Sequence, residues 1–271
     1  MKLVLEEIKK SFDEKEVLKG ASYTFEKGRI YGLLGRNGAG KTTLFNCISR
    51  EIEYERGNVV LEEEGKEIAL DYDNIGYAFS TPILPEFLTG YEFIKFYLDI
   101  NEKKIKERKT VEEYADMVAL DRSDLDRLLK GYSHGMKNKM QMLCLLISRP
   151  SVILLDEPLT SLDVVAAHEM KELLLEMKKD HIIILSTHIM QLAQDLCDEI
   201  VLLHQGTLAG VNEQGEGEQE FEERIIKLLT VEEGKEADSE WDTSHAPKEA
   251  PKMTEEISHP EEQGDVDPYE F

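Results

Sequence analysis

The chain has 271 residues, is 41% hydrophobic and carries 56 acidic against 32 basic residues, a formal net charge of −24. That apolar content excludes a chain disordered throughout and supports a sizeable core, while the acidic excess argues against a nucleic-acid surface, which needs clustered Lys and Arg. No run approaches the ~18 apolar residues of a membrane span and no apolar signal region follows Met1, so a soluble, cytoplasmic chain is expected.

In chain order, Val4–Ile8 and Ser22–Phe25 alternate like half-buried strands, and Arg29–Leu34 is an apolar strand. It runs into Gly35–Thr42, GRNGAGKT, and then into an apolar helix at Leu44–Ile48. This is the phosphate-loop pattern G-x-x-x-x-G-K-[ST] in its proper strand-to-helix setting. Gly35, Gly38 and Gly40 let successive backbone N–H groups fold around phosphate oxygens, Lys41 adds a point charge, and the Thr42 hydroxyl is placed for Mg²⁺. Asn37 and Thr43 lie in the same stretch and join the expected nucleotide contacts.

Asn58–Leu61 reads as a further strand. From Gly90 to about Lys130 the period becomes helical, with Phe93, Phe96 and Tyr97 on one face and an exposed, charged helix expected through Glu112–Val118. Met136–Ser148 is an apolar helix, Val152–Leu155 a buried strand, Ala166–Met177 a helix, and Ile182–Leu185 and Glu199–Leu203 two more strands before the Gln205-Gly206 turn. Strands alternating with helices predict an α/β fold with a mostly parallel sheet. Cys47, Cys144 and Cys197 are widely spaced in apolar stretches and are expected to be buried free thiols. The charge excess is concentrated late: residues 211–271 hold about 20 acids and 5 bases. Within them Phe221, Ile225 and Leu229 suggest a short amphipathic helix in 211–233, and 234–271, with isolated Trp241 and Tyr269, is expected to be a disordered acidic tail or to carry a docking motif.

The strand Val152–Leu155 ends in Asp156-Glu157. A buried strand of this kind can deliver Asp156 to a phosphate-bound Mg²⁺ and leave Glu157 to polarise a water for attack on the γ-phosphate. Tyr132-Ser133-His134-Gly135-Met136 stands at the start of the preceding helix, where a serine and a close-approaching glycine make an anion site. Ser161-Leu162-Asp163 and Ser186-Thr187-His188 follow in order.

With these motifs, residues 2–210 resemble the ATPase subunits of ABC transporters, and Tyr-Ser-x-Gly-Met resembles the signature variant of the ABC-2-type branch. The resemblance implies a P-loop ATPase domain over 1–210, mostly parallel sheet with an antiparallel β subdomain and a helical subdomain at about 85–150. It implies ATP and Mg²⁺ as ligands, Phe12 stacking on adenine, Ser133 and Gly135 reaching the nucleotide of a second subunit, Asp163 acting across that dimer, and His188 at the γ-phosphate. It further implies dimerisation with a second copy or a paralogue and a separate transmembrane permease contacted through Phe79–Phe96, which would hold the chain at the inner face of the cell membrane; export is the expected direction. Ser80 departs from the family, standing where Gln or Glu would approach Mg²⁺, and a shorter hydroxyl reaches less far. A soluble ABC-type ATPase acting on ribosomes or nucleoprotein, and a nucleotide-gated subunit with negligible hydrolysis, stay open as alternatives.

Overall fold

The computed structural model describes residues 1–159, 162–211 and 218–230. Two sheets organise it. The first is antiparallel, order β2-β1-β4-β5, built from β1 (Lys2–Phe12), β2 (Lys15–Glu26), β4 (Arg56–Glu63) and β5 (Lys66–Ile68). The second has order β10-β9-β3-β8-β7-β6, from β3 (Ile30–Leu34), β6 (Ile75–Ala78), β7 (Val152–Asp156), β8 (Ile182–Thr187), β9 (Glu199–His204) and β10 (Thr207–Val211). All its pairings are parallel except the β9–β10 hairpin. Every residue of β3, β7 and β8 is buried, as an apolar run covered on both faces requires. Each fully buried Leu or Ile there contributes about 1.5–3 kcal/mol.

The helices follow the same logic. α1 (Lys41–Ile48) starts earlier than its apolar residues suggest, because Gly40, at φ 106°, turns the chain directly into it. Between β6 and β7 lie α2 (Gly90–Ile100), α3 (Val111–Met117) and α4 (His134–Ser148). Thr89 and Glu92 form a reciprocal capping box that fixes the start of α2, and Thr110 with Glu113 does the same for α3. The remaining helices are α5 (Val164–Met177), α6 (Met190–Leu196) and α7 (Glu218–Thr230).

Four expectations need correction. The helix foreseen at Glu112–Val118 is not an exposed one: Val111, Tyr114, Ala115 and Val118 pack into the same cluster as α2 and α4, and the charges occupy the other face. Phe96 stands off the buried face of α2, 54% exposed, because Phe93, Ile94 and Leu98 fill it. In α7 the buried residues are Phe221, Ile225 and Leu228, with Leu229 half-buried at the edge. The three thiols are free, but only Cys47 is fully buried. The tail expected at 234–271, residues 212–217 and 231–233 of the extension before it, and Ser161 lie outside the described residues.

His181, at the entrance to β8, is buried, and its Nδ1–H donates to the Pro150 carbonyl at 2.5 Å. Burial holds its pKa below the usual 6.5. The unfolded chain therefore binds the proton more readily, so this residue's contribution is present above the usual histidine pKa and is lost as pH falls through it. We expect the Tm of His181→Asn to fall less steeply than that of wild type between pH 7.5 and 5; parallel curves would rule this histidine out as the cause.

Candidate functional site

The phosphate loop leaves the buried end of β3 and closes on α1. Gly38 and Gly40 take φ of 81° and 106°, which side-chain-bearing residues rarely adopt, and a Cβ on Gly40 would lie 2.7 Å from Val17. Lys41 is buried, and its ammonium donates to the Gly35 carbonyl at 2.8 Å. Burial lowers its pKa, while the carboxylates of Glu157 and Asp156 pull the other way.

β7 runs parallel to β8 and brings its acids opposite the loop. The Thr42 hydroxyl donates to Asp156 Oδ2 at 2.8 Å. One residue on, Glu157 sits at φ 50°, its N–H donating to the Ser186 carbonyl at 3.2 Å and to Ser186 Oγ at 3.1 Å. Its carboxylate Oε1 lies 3.0 Å from His188 Nδ1. Ser186 also donates to Asp156 Oδ1, so one buried hydroxyl orients both acids. Its role was not foreseen; the polar residue ending an otherwise apolar strand was the available signal.

A cavity of about 330 Å³ opens here, lined by Phe12, Val17, Asn37, Gly38, Gly40, Lys41, Thr42, Thr43, Asp156 and Glu157. Phe12, last residue of β1, is 47% exposed with Lys10 Nζ 5.1 Å from its ring centroid. The Glu55 carboxylate accepts from the Ser11 N–H at 2.9 Å and from Lys10 at 3.1 Å, which holds this corner. A side-chain hydroxyl and a carboxylate meeting at one point suit Mg²⁺, a hard cation that draws its other ligands from phosphate and water.

Ser133, Gly135 and Asp163 do not line this cavity. Ser133 caps α4, accepting from the Met136 N–H at 3.2 Å, and Asp163 caps α5, accepting from the Ala166 N–H at 2.9 Å. The start of α2 braces the first of these: a Cβ at Gly90 would lie 2.0 Å from the Tyr132 hydroxyl, which donates to the Asp124 carbonyl at 2.9 Å. Ser80 is exposed on the segment after β6. Its neighbour Phe79 is clasped by Gln141 of α4, whose amide accepts from the Phe79 N–H at 3.1 Å and donates to its carbonyl at 3.0 Å. That clasp was also missed, although a polar residue on a buried helix face marks it. Beside it lies a second cavity of about 480 Å³, lined among others by Phe79, Ile83, Leu84, Phe93 and Ile100.

The sequence model described as ABC transporter matches residues 18–160. NatA of Bacillus subtilis, an ABC transporter ATP-binding protein, is 32% identical over 204 residues, 72% of this chain and 82% of NatA. An uncharacterised ABC transporter ATP-binding protein of Nostoc is 34% identical over 194 residues, 70% of this chain but only 58% of that protein's length. The linearmycin resistance ATP-binding protein LnrL of Bacillus subtilis is 29% identical, with 77% of this chain and 68% of LnrL covered. Among solved structures, the ATP-binding subunit of an ABC transporter superposes with a TM-score of 0.71 at 25% identity, covering 83% of this chain and all of that one. A dimeric ATP-binding cassette in a post-hydrolysis state with ADP and Pi gives 0.64 at 21% identity, covering 76% of this chain and 96% of that one, a likeness of fold.

Proposed function

The chain belongs to the ABC transporter ATP-binding family, and from that premise we propose that it closes head to tail on a second copy or a paralogue around two ATP molecules and drives a separate transmembrane permease, as an exporter subunit. It is an ATP hydrolase of the ABC type. The observation that supports the site assignment best is the convergence of Lys41, Thr42, Asp156 and Glu157 on one cavity, with His188 hydrogen-bonded to Glu157 behind them.

In this reading the Gly35–Gly40 amides and Lys41 take the phosphates, and Asn37 and Thr43 add contacts. Thr42 and Asp156 would hold Mg²⁺, which when bound neutralises phosphate charge; Ser80 is exposed and outside the cavity's lining. Glu157 accepts a proton from the attacking water, and His188, fixed by Glu157, faces the γ-phosphate. Ser133 and Gly135 complete the site of the opposite subunit through the N-terminus of α4, and Asp163 signals across the interface. Residues 1–210 form the ATPase unit, 85–150 its helical subdomain and 211–233 an extension.

Phe12 stacks on adenine. Base–aromatic stacking is worth about 1–3 kcal/mol, so Phe12→Ala is expected to weaken ATP binding by about 5- to 150-fold while leaving turnover at saturating ATP nearly unchanged. Equal titration curves for the two proteins would remove Phe12 from the site.

No helix among the described residues is long and apolar enough to cross a membrane; in this reading the motion passes to the permease. The cavity beside Phe79 supports a docking role: exposed Ile83 and Ile100 line it, and Phe87 and Phe96 are exposed in the segment between them, a concentration of apolar surface that marks interaction sites. Closure on ATP and opening after hydrolysis would then move the permease, placing the chain at the inner face of the membrane. Coexpression with a multi-span membrane protein, sought first among the neighbouring genes, tests this. Wild type is expected in the membrane fraction only with that neighbour, and Phe87→Glu, at a site 78% exposed, is expected to lose it with ATPase activity retained. Copurification with ribosomes instead would favour the soluble alternative.

A further inference from the structure

A third groove, of about 470 Å³, lies on the other side of the phosphate loop, between the loop and α7. Leu34 forms part of its lining, Ile226 and Leu229 of α7 give it an apolar rim, and Arg36 and His188 stand on its loop wall, with the Glu222 carboxylate opposite them on α7. Ile226 is 52% exposed there, on a helix whose other apolar residues are packed inward. We propose that this groove is the docking site of the chain's own C-terminal segment, residues 231–271, with Trp241 seated in it and the neighbouring acids directed at the phosphate loop.

Three observations name this occupant. The segment begins where the groove is: α7 ends at Thr230, next to Leu229, and Trp241 follows 11 residues later, an extended reach of up to about 40 Å that allows the chain to turn back with slack. Its charge fits the loop wall. Residues 231–271 carry 14 acidic and 3 basic side chains, and Asp238, Glu240 and Asp242 surround Trp241. Glu222 repels those acids from the α7 wall, which leaves them the Arg36 guanidinium on the loop wall. The only tryptophan of the chain supplies the large apolar body that an open groove can hold, about 150–250 Å² on burial.

The consequence is competition. The groove and the nucleotide cavity share Asn37, so acids held at Arg36 sit beside the phosphates' place on the same loop; docking weakens nucleotide binding and ATP expels the segment. Docking also covers the surface beside His188, which would obstruct closure of the ATP dimer; that step alone rests on the function proposed above.

Because Trp241 is unique, fluorescence of the full chain reports on this residue alone. Acrylamide quenching without nucleotide is expected to be several-fold weaker than for a synthetic peptide of residues 231–250. It is expected to rise to the peptide's level in Ile226→Glu, which charges the rim without touching a buried side chain, and on addition of MgATP. Truncation after Thr230 is expected to tighten ATP binding by about fivefold or more. Peptide-like quenching in the wild type, shielding that survives Ile226→Glu, or shielding that grows with protein concentration, which would mean a second copy's segment, each overturns the proposal. Shielding lost in Ile226→Glu in a protein that binds no ATP would keep the docking and overturn the site reading instead.

Discussion

Glu157→Gln is expected to leave ATP binding intact while lowering steady-state phosphate release by about 10²- to 10⁴-fold, the usual worth of a positioned general base. The substitution preserves size and a hydrogen-bonding oxygen, so the link to His188 at 3.0 Å and the backbone bonds to Ser186 can persist. What disappears is the carboxylate's ability to take a proton. The backbone argues for this role over a structural one: a non-glycine residue at φ 50° costs conformational energy, and here it turns the side chain from the end of a buried strand into the cavity. ATP-dependent dimerisation should become easier to detect in the variant, since the closed state is no longer consumed. Phosphate release equal to wild type would take Glu157 out of the reaction, and equal inactivity of both with ATP-driven dimerisation intact would favour a purely nucleotide-gated subunit.

How much of this could be read from residue order differs by element, for physical reasons. Motifs whose function lies in the backbone were legible, because only glycine tolerates the loop conformations at Gly38 and Gly40 and only an apolar run survives burial on both faces at β3, β7 and β8. Asp156 at the end of β7 and Glu157 after it were legible for the same reason, as charges ending a run that water cannot reach. Ser186 and Gln141 were not, since each acts through a partner 29 to 62 residues away that only strand pairing or helix packing brings close. α3 misled because a seven-residue helix shows two turns of period, and its charged face outweighed Val111, Tyr114 and Ala115 in the pattern. Phe96 misled because residues three and four apart share a face only within its width, and Phe93, Ile94 and Leu98 already fill the inward side of α2. Ser80 stays distinctive: the position that departs from the family is exposed, while the residue before it is the one α4 holds.

Lys41→Ala is expected to separate binding from folding more sharply than any other substitution. In the free protein the ammonium is buried against carbonyl oxygens of the loop, with burial working against its charge and the two acids partly compensating. Removing it relieves a desolvated cation, so the Tm without nucleotide should hold or rise. ATP, however, loses a charge-assisted contact from a buried ammonium to its phosphates, and truncating one partner of such a pair costs about 2–5 kcal/mol, or about 30- to 4,000-fold in affinity. Ligand stabilisation follows RT ln(1 + [L]/Kd), so millimolar MgATP that raises the wild-type Tm should leave the variant's Tm where it was. A lysine serving mainly to hold the loop would give the opposite pattern, a lowered Tm without nucleotide and a preserved upward shift with it. Thermal melts of the two proteins, each with and without MgATP, therefore decide whether the cation is held in reserve for phosphate or spent on the fold.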